Sequence, residues 1–208
     1  MSAVPSFRSP SRFAALDAYV AQLPHGWDSY PECTARAAIY RHLLDTSPLP
    51  PEAVSQLPPP LAAYVTDPRP VSDWIPEVFS QGILLAILDW HAMDSATSFK
   101  WLYRMNKDML GGRLYQILMS VASPELLMKG TSYRWGALRR GSTFATSPGS
   151  GHTYLGKLTF PPHLFAELGV LAFLPAFQAV LDLSHAKDAK VSLATHSATE
   201  ADFLIDLG

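Results

Sequence analysis

The sequence holds a single cysteine, Cys33, so no disulfide can form within the chain. Charge is scarce: Asp, Glu, Lys and Arg make up 16%, against roughly 25% in a typical globular protein. A surface so poor in charge leaves apolar area exposed, and such area often becomes an oligomer interface or a ligand groove. Long hydrophobic runs are missing. The longest, Ile83–Leu88 and Val170–Leu174, fall far short of the roughly 20 residues that span a bilayer. The first residues, MSAVPSFRSPSRF, carry no apolar stretch of the signal-peptide kind, so a cytoplasmic protein without a membrane span is expected.

Catalytic signatures are missing as well. No Gly-x-Ser-x-Gly elbow places a nucleophile between a strand and a helix, since Gly149-Ser150-Gly151 falls where a hairpin loop is expected. Gly111-Gly112-Arg113 lacks the lysine-serine tail of a phosphate-cradling loop. The seven histidines are scattered, with no pair at metal-binding helical spacing. His91 lies between Asp89 and Asp94, but residues two apart on a helix do not face each other, so no metal is expected there. These absences predict a non-enzymatic protein. The aromatic–glycine pattern of an RNA-binding sheet and a helix-turn-helix are also absent, and no nucleic-acid partner is expected.

What is present is proline, 18 in all, eight of them within residues 46–72. That suits short helical turns around Glu52–Leu57 and Leu61–Val65, joined by stiff extended pieces. Charge is uneven. Residues 100–140 hold eight basic and two acidic side chains, so this segment carries +6 and the remainder −8. The segment reads either as a solvated basic layer or as a site for an anionic ligand or partner.

At 208 residues the chain predicts one domain. Residues 1–10 form an arm, 11–140 a helical half and 141–208 a sheet half. Ser11 caps a first helix with Phe13, Leu16, Val20 and Leu23 on one face. Pro31 suits the first turn of a second helix, running to about Leu44 with Cys33 in that turn. Asp73 caps a third, apolar nearly all round from Val78 to Leu88, as a central buried helix is. Ser95 or Ser98 starts a helix with Phe99, Leu102, Met105 and Met109 inward. Leu114, Ile117, Leu118 and Val121 stripe the next. Ser123-Pro124-Glu125 opens another, which frays near Gly136 or Gly141.

After Gly141 the period becomes two. Ser142–Thr146 and Thr153–Phe160 read as a hairpin around Pro148–Gly151. A long helix from Pro162 to about Leu183 is kinked or divided at Pro175. Strands through Val191–Ala194 and Asp202–Leu207 make a second hairpin. The fold class is therefore α+β: a helical N-terminal half packed on a four-stranded, mainly antiparallel sheet of β-β-α-β-β order.

One cluster stands out chemically. Tyr133, Arg134 and Trp135, with Arg139 and Arg140 close by, combine aromatic faces with forked cations. Trp135 reads either as a core plug, with the arginines covering a sheet edge, or as part of a pocket mouth. In the second reading Trp90, Trp101, Tyr115 and Trp135 line apolar walls, Tyr133 stands beside them, and Arg134 or Arg140 reads a polar head.

Several segments together resemble a myxobacterial paralogous family of proteins about this size. They are Asp28-Ser29-Tyr30-Pro31-Glu32, Leu126–Tyr133 with Arg134-Trp135-Gly136, Arg139-Arg140-Gly141, Phe160-Pro161-Pro162-His163-Leu164 and the Ala186-Lys187-Asp188 turn. That family is similar in turn to a superfamily of heme nitric-oxide-binding sensor domains, 4-vinyl-reductase-like domains and vesicle-tethering complex subunits. The resemblance implies a helical half over an antiparallel sheet, with small-molecule sensing and protein assembly rather than catalysis. The Tyr-x-Ser-x-Arg motif that holds heme propionates in the nitric-oxide sensors is absent from Tyr133-Arg134-Trp135-Gly136-Ala137. His91 is the one histidine that resembles a proximal ligand. No cofactor is expected, and heme is set aside. The expectation is a ligand-binding, sensor-like module for a small, partly apolar ligand, homodimeric and acting through a protein partner. A ligand-free homodimeric scaffold and a heme-based gas sensor are the alternatives.

Overall fold

The computed structural model describes residues 11–111, 124–184, 186 and 188–208. The described residues begin with α1 (Ala14–Gln22), a single 3-10 turn at Gly26–Asp28, then β1 (Thr34–Arg36) and α2 (Ala37–Thr46). Two short proline-led helices follow, α3 (Pro51–Val54) and α4 (Pro59–Thr66), then β2 (Trp74–Pro76) and α5 (Glu77–Trp90). Next come α6 (Ser95–Leu110), α7 (Pro124–Lys129), α8 (Thr131–Leu138) and β3 (Arg139–Arg140). The last part is β4 (Thr143–Pro148), β5 (Thr153–Thr159), α9 (Glu167–Leu171), α10 (Phe173–Leu183), β6 (Lys190–His196) and β7 (Glu200–Asp206).

The α+β class and the four-stranded antiparallel sheet are as expected. The two hairpins meet through β5 and β7, giving the order β4-β5-β7-β6. Period-two alternation sets the faces: Phe144, Leu158, Ala201, Phe203 and Ile205 are buried, while Leu155, Lys157 and Leu204 are exposed. Gly156 is there for close approach, because a Cβ on it would lie 2.8 Å from the Phe144 ring. The helix α5 is buried along most of its length, as its all-round apolar run requires, and packs against α1, α2, α4 and α9.

Two expected helix starts are instead strands. The helix predicted from Pro31 begins only at Ala37, and the one predicted from Asp73 begins at Glu77. The residues between pair with each other: Thr34 opposite Pro76, Ala35 opposite Ile75 and Arg36 opposite Trp74. On the other side β1 pairs with β3, completing a second, three-stranded sheet that the sequence pattern does not reveal. Each of its strands is only two or three residues long, too short for alternation to register. Tertiary pairing overrides local helix signals here. The Asp73 carbonyl accepts from Ala37 N–H at 2.9 Å, and the Cys33 carbonyl from Glu77 N–H at 2.8 Å, so the sheet fixes the starts of α2 and α5 together.

Other boundaries shift for local reasons. Asp94, not a serine, caps α6, its Oδ1 accepting from Thr97 N–H at 2.7 Å. The segment after Pro124 is two helices parted at Gly130, not one. The long helix expected from Pro162 begins at Glu167 and is divided at Ala172. Pro175 accounts for the division: it lacks an N–H, and its ring would meet the carbonyl of Leu171 in a continuous helix. The arm at 1–10, the stripe Leu114–Val121, Ser123 and Lys187 lie outside the described residues.

Gly141 links the two sheets and bears two constraints. Its φ is +75°, and a Cβ there would lie 2.4 Å from Cys33 Sγ. A Gly141→Ala variant is therefore expected to lose more than about 1 kcal/mol of stability in urea unfolding, because it adds both backbone strain and a clash.

Candidate functional site

A cavity of about 170 Å³ lies between the helical half and the four-stranded sheet. Asn106, Met109 and Leu110 of α6 line it, with Leu127 and Met128 of α7 and Thr131, Arg134 and Trp135 of α8. Phe144 of β4 and Phe173, Ala176 and Phe177 of α10 close it from the sheet side. Its aromatic walls belong to one interlocked set. Phe144 stacks on Phe177 at 4.7 Å between ring centroids, and Trp135 packs on Phe144 at 5.5 Å and on Phe173 at 5.3 Å. Such rings hold one another in preferred geometries, so the wall is stiff.

A smaller cavity of about 50 Å³ adjoins it, sharing Ile39, Asn106, Arg139, Phe173 and Ala176 in its lining. Ser80, Gln81 and Gly169 line its far side. A wider cleft of about 450 Å³ opens elsewhere, lined by Tyr19, His163, Glu167 and His196 among others. Among the described residues no group of three or more His, Cys, Asp or Glu is placed to hold a metal ion.

Of the residues expected at a pocket, Arg134 and Trp135 both line the large cavity. Arg134 is held by its Nη1, which donates to the Leu127 carbonyl at 3.2 Å, and Trp135 Nε1 donates to Ser142 Oγ at 3.1 Å. The remaining expected residues are not in the described lining. Trp90 stacks on Phe13 at 6.1 Å with Arg12 over its ring at 3.7 Å. Trp101 packs against the core from α6, its indole nitrogen buried and without a hydrogen-bond partner. Tyr133 is 82% exposed, because it lies on the outer side of α8. Arg140 is exposed on β3 and lies 3.9 Å over Trp74. Tyr115 lies outside the described residues.

Sequence reasoning missed the buried polar group behind the cavity. Glu77, only 1% exposed, faces Arg139 Nη1 at 3.3 Å, and Gln81 Nε2 donates to Glu77 Oε1 at 3.0 Å. Arg139 itself sits among the rings of Phe173 at 5.1 Å, Trp135 at 5.4 Å and Phe165 at 6.0 Å. Burial pushes the Glu77 carboxyl up from its usual range, against the pull of Arg139 and Gln81. The signal was available: Glu77, Ser80 and Gln81 are polar residues in the first turns of a helix whose next stretch, to Leu88, is apolar all round.

Cys33 is also buried, its Sγ 3.4 Å from the Gly141 carbonyl, and burial, helped by Glu32 and Glu77, pushes its thiol up to about 11. At pH 8 the thiol then stays protonated, so iodoacetamide is expected to label Cys33 only after unfolding. Replacing Arg139 with leucine strands the Glu77 carboxylate and is expected to cost about 3–5 kcal/mol, read from the shift of the urea midpoint.

No protein-family model matches the chain, and no curated protein sequence matches it. The narrower likeness to a myxobacterial paralogous family therefore has no support. Solved structures do match. An oxygen-binding H-NOX domain related to soluble guanylate cyclases aligns with a TM-score of 0.56 at 6% identity, over 81% of this chain and 90% of its own. An H-NOX protein from S. oneidensis in its Fe(II)NO state aligns at 0.54 and 9% identity, over 82% of this chain and 98% of its own. A protein whose porphyrin distortion modulates heme redox potential aligns at 0.56 and 8% identity, over 82% of this chain and 96% of its own. The expectation of no cofactor, with heme set aside, is corrected by these matches, because the neighbours are heme-binding proteins. In this chain Arg139 is already paired with Glu77, and the described lining would offer a porphyrin apolar walls, Arg134 for a carboxylate and the Met109 and Met128 thioethers for iron. It falls short in size, so a porphyrin would need the surrounding helices to part, and the exposed His91 stands outside the cavity. At these identities the likeness fixes the architecture: the chain has an H-NOX-like fold.

Proposed function

We propose that this chain is a sensor-like, non-enzymatic binding module whose ligand occupies the 170 Å³ cavity between α6, α7, α8, β4 and α10. The observation that carries the reading is an apolar, aromatic-walled space at the joint of the two halves, in a fold shared with H-NOX domains. Ligand sites are concave, mostly apolar and furnished with a few placed polar groups, and Asn106, Arg134 and Arg139 are those groups here. A ligand there touches both α6 and α10, which pack on each other, so its binding would bias how the helical half sits on the sheet half. That is the physical content of sensing in this proposal, and a protein partner would read the shift. No helix among the described residues is long and apolar enough to cross a membrane.

One observation favours the ligand-free homodimeric scaffold as the second reading. Leu155 and Leu204, cross-strand partners on the open sheet face, are 42% and 44% exposed. The two readings part in one experiment: native mass spectrometry of protein purified from its own host, set beside the denatured mass and the absorption spectrum. A small-molecule mass lost on denaturation supports the sensor reading. A porphyrin mass with a Soret band identifies the ligand as heme. A clean dimer without adduct supports the scaffold. Filling the cavity with Ala176→Leu is expected to abolish retention of the small molecule while raising stability by about 0.5–2 kcal/mol.

A further inference from the structure

The outer face of the three-stranded sheet carries a charged cluster far from the cavity chemistry. Arg36 on β1 stands opposite Trp74 on β2, and Arg140 on β3 stands opposite Thr34. Thr34 and Arg36 are two apart on one strand, so all four side chains share a face. Ala35, Ile75 and Arg139 take the other face and are buried. The Arg36 guanidinium lies 4.1 Å from the Trp74 ring centre, and that of Arg140 lies 3.9 Å from it. Two planar groups that near one centre cannot share a side of the ring. The indole is therefore sandwiched, and the two charges are held about 8 Å apart.

These charges are fixed in place but not matched. Arg36 donates from Nε to the Ala137 carbonyl at 3.3 Å and from Nη1 to the Ser72 carbonyl, both neutral acceptors. Arg140 is exposed. Among the described residues neither guanidinium forms an ion pair, although Glu32 and Asp73 are exposed beside these strands. Like charges held this close repel each other, and an anion beside both removes that cost. Apolar side chains stand out at the border. Val71, next to Ser72, is 57% exposed, and Tyr133, one helical turn before Ala137, is 82% exposed. Arginine and large rings are the side chains that concentrate at the centres of protein interfaces.

A nucleic acid fits this face poorly, because both sides of the indole are covered and no base can stack on it. A short acidic chain fits better. In an extended strand, side chains two residues apart lie on one face about 7 Å from each other, close to the separation of the two guanidiniums. We propose that this face docks an acidic segment of a protein partner. Carboxylates two residues apart meet Arg36 and Arg140, and apolar side chains on either side of them meet Val71 and Tyr133. The inference does not rest on the cavity being a ligand site.

Calorimetric titration of the full chain with the capped peptide Leu-Ser-Glu-Ser-Glu-Ser-Leu tests it, beside the same peptide with glutamine in place of both glutamates. The glutamate peptide is expected to bind and the glutamine peptide is not. Arg140→Gln is expected to weaken binding about fivefold, the worth of one exposed charge contact. Arg104→Gln removes the same charge from an exposed position on α6 and is expected to leave binding unchanged. Equal weakening by the two variants overturns the site, since general attraction alone would explain it. Equal binding of the two peptides, or binding of neither, overturns it too. Tighter binding of a short deoxythymidine strand than of the glutamate peptide overturns the protein partner in favour of a nucleic acid. The comparison of peptides on the natural chain decides the matter even if a variant fails to fold, and none of these outcomes touches the cavity reading.

Discussion

The Glu77–Arg139 pair ties together parts of the chain that nothing else joins so directly. Glu77 opens the central helix of the helical half, and Arg139 begins the strand that leads into the four-stranded sheet. Both are desolvated, so neither is tolerable without the other. The pair therefore dictates where α5 stands relative to α8 and the aromatic wall. Gln81 satisfies a further carboxylate position, and the three-stranded sheet holds both ends of the pair in register. The rings around Arg139 keep water from its guanidinium and convert a charge contact into a packing constraint.

This constraint explains why a cavity survives at the joint. Close packing would normally collapse an apolar gap of this size. Here the wall on one side is a locked cluster of rings, and the wall behind is anchored by a charge pair that cannot shift without exposing itself. Helices α6 and α10 span the gap between these fixed sides. The space is then maintained by the fold rather than left by accident. The H-NOX domains that share this architecture at under a tenth identity show that the architecture does not depend on particular side chains. What the cavity receives is set by the residues of this chain.

Long regular elements were legible in the sequence because their periods repeat often enough to register. The buried α5, the amphipathic α6 and both hairpins follow from apolar spacing alone. Arg134 and Trp135 were legible as neighbours, and both line the large cavity. Trp90 and Tyr133 were not placed by the same logic. An aromatic residue looks alike in sequence whether its neighbours in space are Phe13, water or a cavity.

The sequence by itself determined the α+β class and the four-stranded sheet. Each depends on local period, turn residues and chain length, which act between residues close in sequence. Only the tertiary structure decided the three-stranded sheet, the helix starts at Ala37 and Glu77, and the meeting of Glu77, Gln81 and Arg139. These rest on contacts between residues up to 62 positions apart, Glu77 to Arg139 being that distance. Strands of two or three residues carry no period, and a buried charge announces its partner only when the chain has folded around both.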